Sequence, residues 1–215
     1  MQMIGIIGGI GSGKSTAAKL FQQWGAAVIN ADALGHQVLL LPQVRDSIRE
    51  RWGTAVLGND SEIDRRKLAE VVFADGKRDS VKRDSVKGYR EKEDEQTELA
   101  YLQSLTHPLI AEEVHRLRKE YEQNGTPLCL LDAPLLLESG WAPLVDLIVF
   151  VSASAEVRWE RVKRRDWPET EWRRRESAQL PVEEKQCQAD IVLDNSGTLE
   201  HLRGQVETLV RKVMP

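Results

Sequence analysis

A short apolar run, Met3-Ile4-Gly5-Ile6-Ile7, passes directly into Gly8-Gly9-Ile10-Gly11-Ser12-Gly13-Lys14-Ser15 and then Thr16. The run reads as a buried strand, and Ala17, Ala18, Leu20, Phe21 and Trp24 beyond it recur at helical spacing. The segment between them fits G-x-x-x-x-G-K-[ST], the Walker A phosphate loop, in the strand, loop and helix context that gives the motif its meaning. A chain that begins this way is expected to build an α/β core around a parallel sheet.

Each residue type in the loop has a physical reason. Glycines let backbone N–H groups turn toward a polyphosphate with no Cβ in the way. The helix that follows offers its unsatisfied N–H groups and the positive end of its dipole to the anion. Gly11, Ser12, Gly13, Lys14, Ser15 and Thr16 are therefore the candidate nucleotide-binding residues. Lys14 can reach the β- and γ-phosphates, and the Ser15 hydroxyl suits a Mg²⁺ ligand.

At 215 residues, 41% of them hydrophobic, the chain is long enough for one α/β core with a small inserted unit. A net charge of −4 argues against a general nucleic-acid binder. Two cysteines, Cys129 and Cys187, make neither a disulfide framework nor a zinc pattern. No apolar run reaches transmembrane length, and residues 5–13 do not resemble a signal peptide. A soluble cytoplasmic protein with no membrane partner is expected.

Further strands are expected near residues 26–29, 128–132, 146–151 and 189–193, and a last helix near residue 198 carries Leu199, Leu202, Val206, Leu209, Val210 and Val213 on one face. Asp32 falls just past the second strand. In an open parallel sheet that places it on the edge where ligands sit, although it could equally cap a helix over residues 33–41. Asp132 ends the third strand, where a carboxylate is either a Walker B magnesium ligand or a turn residue before Pro134.

Residues 42–124 are mostly helical in pattern. Val44, Ile48 and Trp52 form one stripe, residues 53–60 a loop, and Asp64 a candidate cap for a helix carrying Leu68, Val71 and Val72. His107-Pro108 predicts a kink or helix boundary. Lys77-Arg78-Asp79-Ser80-Val81 recurs as Lys82-Arg83-Asp84-Ser85-Val86, and the charged stretch 77–98 reads as a solvated insertion. Residues 156–180 are dense in arginine. They form either exposed helices with internal ion pairs or a lid that closes cations over phosphates, with Arg161 and Arg165 on one helical face.

Taken together the chain resembles the dephospho-coenzyme A kinase family. The matching residues are the phosphate loop; Val28-Ile29-Asn30-Ala31-Asp32; Arg66, Leu68 and Val72-Phe73; and Leu105-Thr106-His107-Pro108-Leu109-Ile110. They continue through Asp132-Ala133-Pro134-Leu135-Leu136-Leu137-Glu138, Arg161, Arg164-Arg165, Gln179, Ala189-Asp190 and Asp194-Asn195-Ser196-Gly197. The resemblance departs at Ile7, Asn30 and Gln103, where the family more often has threonine, aspartate and asparagine. It implies a P-loop NTPase of the nucleoside-monophosphate-kinase-like kind: a five-stranded parallel sheet with a helical insertion and a lid. The core would comprise residues 1–31, 127–155 and 186–215, the acceptor (CoA) region 32–126, and the lid 156–185.

The implied reaction moves the ATP γ-phosphoryl group, with Mg²⁺, to the ribose 3′-hydroxyl of dephospho-CoA. On the same basis Asp32, Lys14 and Arg161 are catalytic, Arg165 binds ATP, and Asp32, His107, Pro108, Leu135 and Glu138 meet the acceptor. For His107 a structural hydrogen bond is the alternative. Ser15 and Asp132 would hold the metal, and the protein would be a monomer or weak homo-oligomer. Two other readings remain: a kinase for another small nucleoside or nucleotide, and a P-loop regulatory switch. The guanine-reading Asn-Lys-x-Asp motif of many such switches is absent from the sequence.

Overall fold

The computed structural model describes residues 1–58, 62–72 and 97–214. The charged repeat at 77–98 therefore lies outside the described residues, apart from its last two. The chain divides into two compact units, Met1–Asp32 with Ala111–Pro215, and Ala33–Ile110.

The first unit is built on a five-stranded sheet: β1 (Gln2–Ile7), β2 (Ala27–Asn30), β3 (Leu128–Asp132), β4 (Leu147–Ser152) and β5 (Ile191–Asp194). Every pairing is parallel and the order is β2-β3-β1-β4-β5. The central strands are apolar on both faces, as strands covered on both sides must be. Ile4, Ile6, Leu128, Leu130, Val149 and Val151 pack one face against Leu20 and Phe21 of α1 (Lys14–Gln23) and Leu202 and Val206 of α9 (Leu199–Val213). Met3, Ile7, Cys129, Leu131 and Phe150 are as deeply buried on the alternate positions. Gly25, at φ 84°, closes α1 as expected.

Between β4 and β5 run α6 (Ala155–Lys163), α7 (Glu169–Ser177) and α8 (Val182–Cys187). Exposed i, i+3 and i, i+4 pairs such as Arg173–Glu169 and Arg174–Glu171 account for part of the arginine density. Trp159 and Trp172 stack 5.3 Å apart between α6 and α7, giving this region a small apolar core of its own.

The second unit contains α3 (Pro42–Trp52), a 3₁₀ turn at Gly53–Val56 and α4 (Arg65–Val72). Asp64 caps α4 through the N–H groups of Arg66 and Lys67. Val44, Ile48, Val56, Leu68 and Val72 are buried. Glu98 accepts from Arg51 and Trp52, and the Arg51 guanidinium lies 4.2 Å from the centre of the Tyr101 ring.

Three expectations are corrected. The helix placed at 33–41 is α2 (Ala31–Val38), which starts on the residue after β2, so Asp32 lies inside its first turn and does not cap it. The loop placed at 53–60 contains the 3₁₀ turn. The boundary expected at His107-Pro108 is absent: α5 (Glu98–Gln123) is one helix with Pro108 in its interior. A helix-interior proline costs about 3 kcal/mol, and burial of Ile110 and Val114 beyond it and Thr106 before it offsets that cost. Among the described residues no helix is long and apolar enough to cross a membrane.

Candidate active site

β1 ends at Ile7, the chain turns through Gly8 to Gly13, and α1 begins at Lys14. Gly13 occupies the N-cap position at φ 96°, in the left-handed region, and no side chain caps the helix. The N-terminus of the helix is thus open to an incoming anion, with the Thr16 and Ala17 N–H groups already donating to Gly13 O. A Cβ at Gly13 would also collide with the Asn195 side-chain amide. Gly9 is constrained from the other side, because a Cβ there would come within 2.8 Å of the Arg158 guanidinium.

The Lys14 ammonium lies across this loop, donating to Gly8 O at 2.8 Å and Gly9 O at 3.2 Å. Burial pushes its pKa down to about 8; Asp132 and Asp32 pull it back up, while Lys185 and Arg165 press it further down. Five charged groups from β1–α1, β3, α2, the segment after α6, and α8 therefore share one locality.

Asp132 stands at the end of β3 with Ile6 and Asn30 beside it in register. Burial raises its pKa, the Lys14 charge lowers it, and the Asp32 charge raises it. Asp32 is exposed in the first turn of α2, and Ser15 and Thr16 are exposed in the first turn of α1. Among the sequence candidates, Lys14, Asp32 and Asp132 are thus brought together at the carboxyl edge of the sheet. The Ser12 hydroxyl, also in the loop, is buried without a hydrogen-bond partner.

Arg161 turns inward from α6. Its guanidinium donates to Gly11 O at 3.4 Å, Ser12 O at 3.1 Å and Asn195 O at 2.7 Å, and Asn195 Nδ2 donates to Ser12 O at 2.7 Å. Arg165 lies two residues beyond the end of α6, its N–H bonded to Val162 O. The two arginines therefore do not share a helical face. Both nevertheless line a cleft of about 360 Å³ together with Gly13, Thr16, Asn195 and Gly197. A larger groove, about 870 Å³, runs between β5 and α9 away from the loop and holds none of these groups.

Other candidates are placed as follows. Leu135 is exposed, whereas Glu138 is mostly buried and ion-paired with Lys185 at 2.6 Å. His107 and Pro108 lie in α5, where burial lowers the imidazole pKa.

Sequence reasoning assigned no role to Asn195, Arg158 or Lys185. Arg158 is buried against Gly9, ion-paired with Glu176 of α7, with its guanidinium 5.5 Å from the Trp172 ring centre. Each sits in a charged or polar stretch whose pattern looks like solvent-facing surface. The Asp-Asn-Ser-Gly motif was the one signal that singled out Asn195.

The sequence profile of the dephospho-CoA kinase family matches residues 2–87 and 80–201. The dephospho-CoA kinase of Carboxydothermus hydrogenoformans is 35% identical over 214 residues, spanning 99% of this chain and 94% of its own. That of Bacillus cereus is 35% identical over 211 residues, spanning 97% and 96%. A Thermus thermophilus protein of solved structure has a TM-score of 0.77 at 32% identity, over 100% of this chain and 98% of its own. Dephospho-CoA kinase from Campylobacter jejuni shares the fold, with a TM-score of 0.68 at 20% identity over 100% and 98%. Similarity that runs through the phosphate loop and across almost the whole length makes this chain a member of the dephospho-CoA kinase family.

Proposed function

We propose that this chain transfers the γ-phosphoryl group of ATP to the ribose 3′-hydroxyl of dephospho-CoA, giving CoA and ADP in the last step of coenzyme A synthesis. The observation that carries the reading is the grouping of Lys14, Asp32 and Asp132 beside a phosphate loop at one sheet edge. Phosphoryl transfer is catalysed mainly by positioning and by cations, and this edge offers both.

In this reading the α1 N–H groups and Gly11 to Thr16 hold the ATP phosphates, and Lys14 exchanges the carbonyls of Gly8 and Gly9 for phosphate oxygens. Asp32, being exposed, can take or orient the proton of the attacking hydroxyl. Arg165 faces the phosphates from the lid, residues 156–185. Arg161, already bonded to three carbonyls, acts by holding the loop and Asn195 together and by adding positive charge behind them. On the acceptor side the first unit contributes Asp32, Leu135 and Glu138. In the second unit, His107 and Pro108 are assigned to the acceptor by family likeness.

The residues present fit Mg²⁺. A half-buried carboxylate whose pKa is raised by burial and by a second carboxylate is a place where a cation is electrostatically favoured. Among the described residues there is no group of three or more His, Cys, Asp or Glu able to cage a metal. That suits an ion that takes one or two carboxylates, waters and substrate phosphates. The Ser15 hydroxyl and Asp132 would hold it, and when bound it supplies positive charge to the β- and γ-phosphate oxygens.

Coupled ADP release, measured with dephospho-CoA, adenosine, AMP and shikimate as separate acceptors, tests the assignment. Release that depends on dephospho-CoA is expected. No stimulation by it would overturn the reading, and preference for another acceptor would move the chain to a different kinase activity.

A further inference from the structure

Lys185 is the least expected residue in the first unit. It is 1% exposed, yet it belongs to the short, otherwise polar α8. Its ammonium meets Glu138 Oε1 at 2.6 Å, Pro134 O at 3.0 Å and Gln179 Oε1 at 3.0 Å. Three oxygens match the three N–H donors of an ammonium, so its hydrogen-bonding capacity is used in full. The same Glu138 oxygen accepts the Leu180 N–H at 3.0 Å, while the second, Oε2, is buried without a partner.

The partners come from two stretches. Pro134 and Glu138 lie in the turn that follows Asp132, and that turn packs Leu136 against Gly5 of β1, where a Cβ would come within 2.7 Å of it. Gln179 and Leu180 lie in the link from α7 to α8. Stability alone explains the cluster poorly, because a buried ion pair generally stabilises no better than apolar residues of the same volume. What it does supply is a fixed junction between those stretches and a positive charge beside the phosphate loop.

We propose that Lys185 is a positioning residue for the phosphoryl transfer assigned above: by gathering Pro134, Glu138 and Gln179 onto one buried ammonium, it holds the segment leaving Asp132 against the arginine-bearing helices. The proposal rests on that functional reading.

The test is steady-state kinetics with dephospho-CoA and ATP varied separately. For Lys185→Met, with folding checked by thermal unfolding, kcat with dephospho-CoA should fall about 10- to 100-fold, the scale for a displaced reacting group, while the KM for ATP stays within about 2-fold of wild type. Lys185→Arg, which keeps a cation at the junction, should recover most of the lost kcat.

A folded Lys185→Met enzyme with wild-type kcat, or one whose kcat and KM for ATP worsen together, overturns the proposal. Should that variant fail to fold, Gln179→Leu removes one acceptor and no charge. It should lower kcat several-fold with ATP affinity unchanged, and wild-type kcat would again overturn the proposal. Absence of dephospho-CoA-dependent turnover in the wild-type protein would instead defeat the functional reading, and the kcat of Lys185→Met with the acceptor that the wild-type protein does use would then decide the proposal.

Discussion

At the scale of single residues, the proposed reaction depends on the protonation of Lys14 and on the carboxylate of Asp32. The pKa of Lys14 is lowered from 10.5 to about 8, chiefly by burial. The folded empty protein thus gives up this proton at lower pH than the unfolded chain. Between about pH 8 and 10.5 the unfolded state binds more protons, and the Lys14 contribution to stability becomes more favourable as pH rises through that window. ATP reverses the preference, because its phosphates favour the ammonium. ATP affinity should therefore weaken as pH rises through about 8, with proton uptake on binding above that pH. Titration calorimetry in two buffers of different ionisation enthalpy measures the uptake, and Lys14→Met should abolish it. Asp32 stands exposed in the first turn of α2, free to meet a hydroxyl. Asp32→Asn should retain ATP binding and lose turnover by about 10²-fold, the scale of a missing general base. Near-normal turnover in single-turnover kinetics would leave Asp32 with no more than a favourable charge at a helix start.

At the scale of elements, the phosphate loop is held from behind by two side chains, one from α6 and one from the segment after β5. Arg161 on α6 and Asn195 after β5 converge on Ser12 O, and Arg161 also takes Asn195 O. Asn195→Ala should destabilise the fold by about 1 kcal/mol, the low end of the range for losing a buried hydrogen-bond partner, because Arg161 still donates to Ser12 O. ATP affinity should fall with it, since the loop loses one of its two restraints; thermal unfolding with and without ATP reads both effects. How much of this could be read beforehand follows from the physics of each feature. The loop and the five strands were legible because backbone geometry demands glycine and burial on both faces demands unbroken apolar runs. Lys185 and Arg158 were not, since a buried charge satisfied by its partners looks the same in sequence as a solvated one, and Asn195 stood out only as part of Asp-Asn-Ser-Gly. Pro108 misled for a related reason: its local penalty is set by itself, but the packing of Thr106, Ile110 and Val114 that overrides it is tertiary.

At the scale of the whole chain, the family profile matches residues 2–87 and then 80–201, so residues 80–87 are matched twice. That overlap falls on the tandem pentapeptide, Lys77 to Val81 and Lys82 to Val86. The chain thus contains one more copy of this stretch than the family pattern uses. A duplicated copy that the pattern does not require should be removable. Deleting residues 82–86 should accordingly leave the dephospho-CoA-dependent kcat and the ATP affinity within about 2-fold of wild type, a change worth about 0.4 kcal/mol and small beside any loss of a catalytic group. Steady-state kinetics on the shortened chain, with dephospho-CoA varied at saturating ATP, provide the measurement. A selective rise in the KM for dephospho-CoA would show instead that the second copy serves the acceptor. Equal loss of both activities would show that it serves the fold. Unchanged constants would place the whole of the catalytic requirement in the residues that the family pattern covers once.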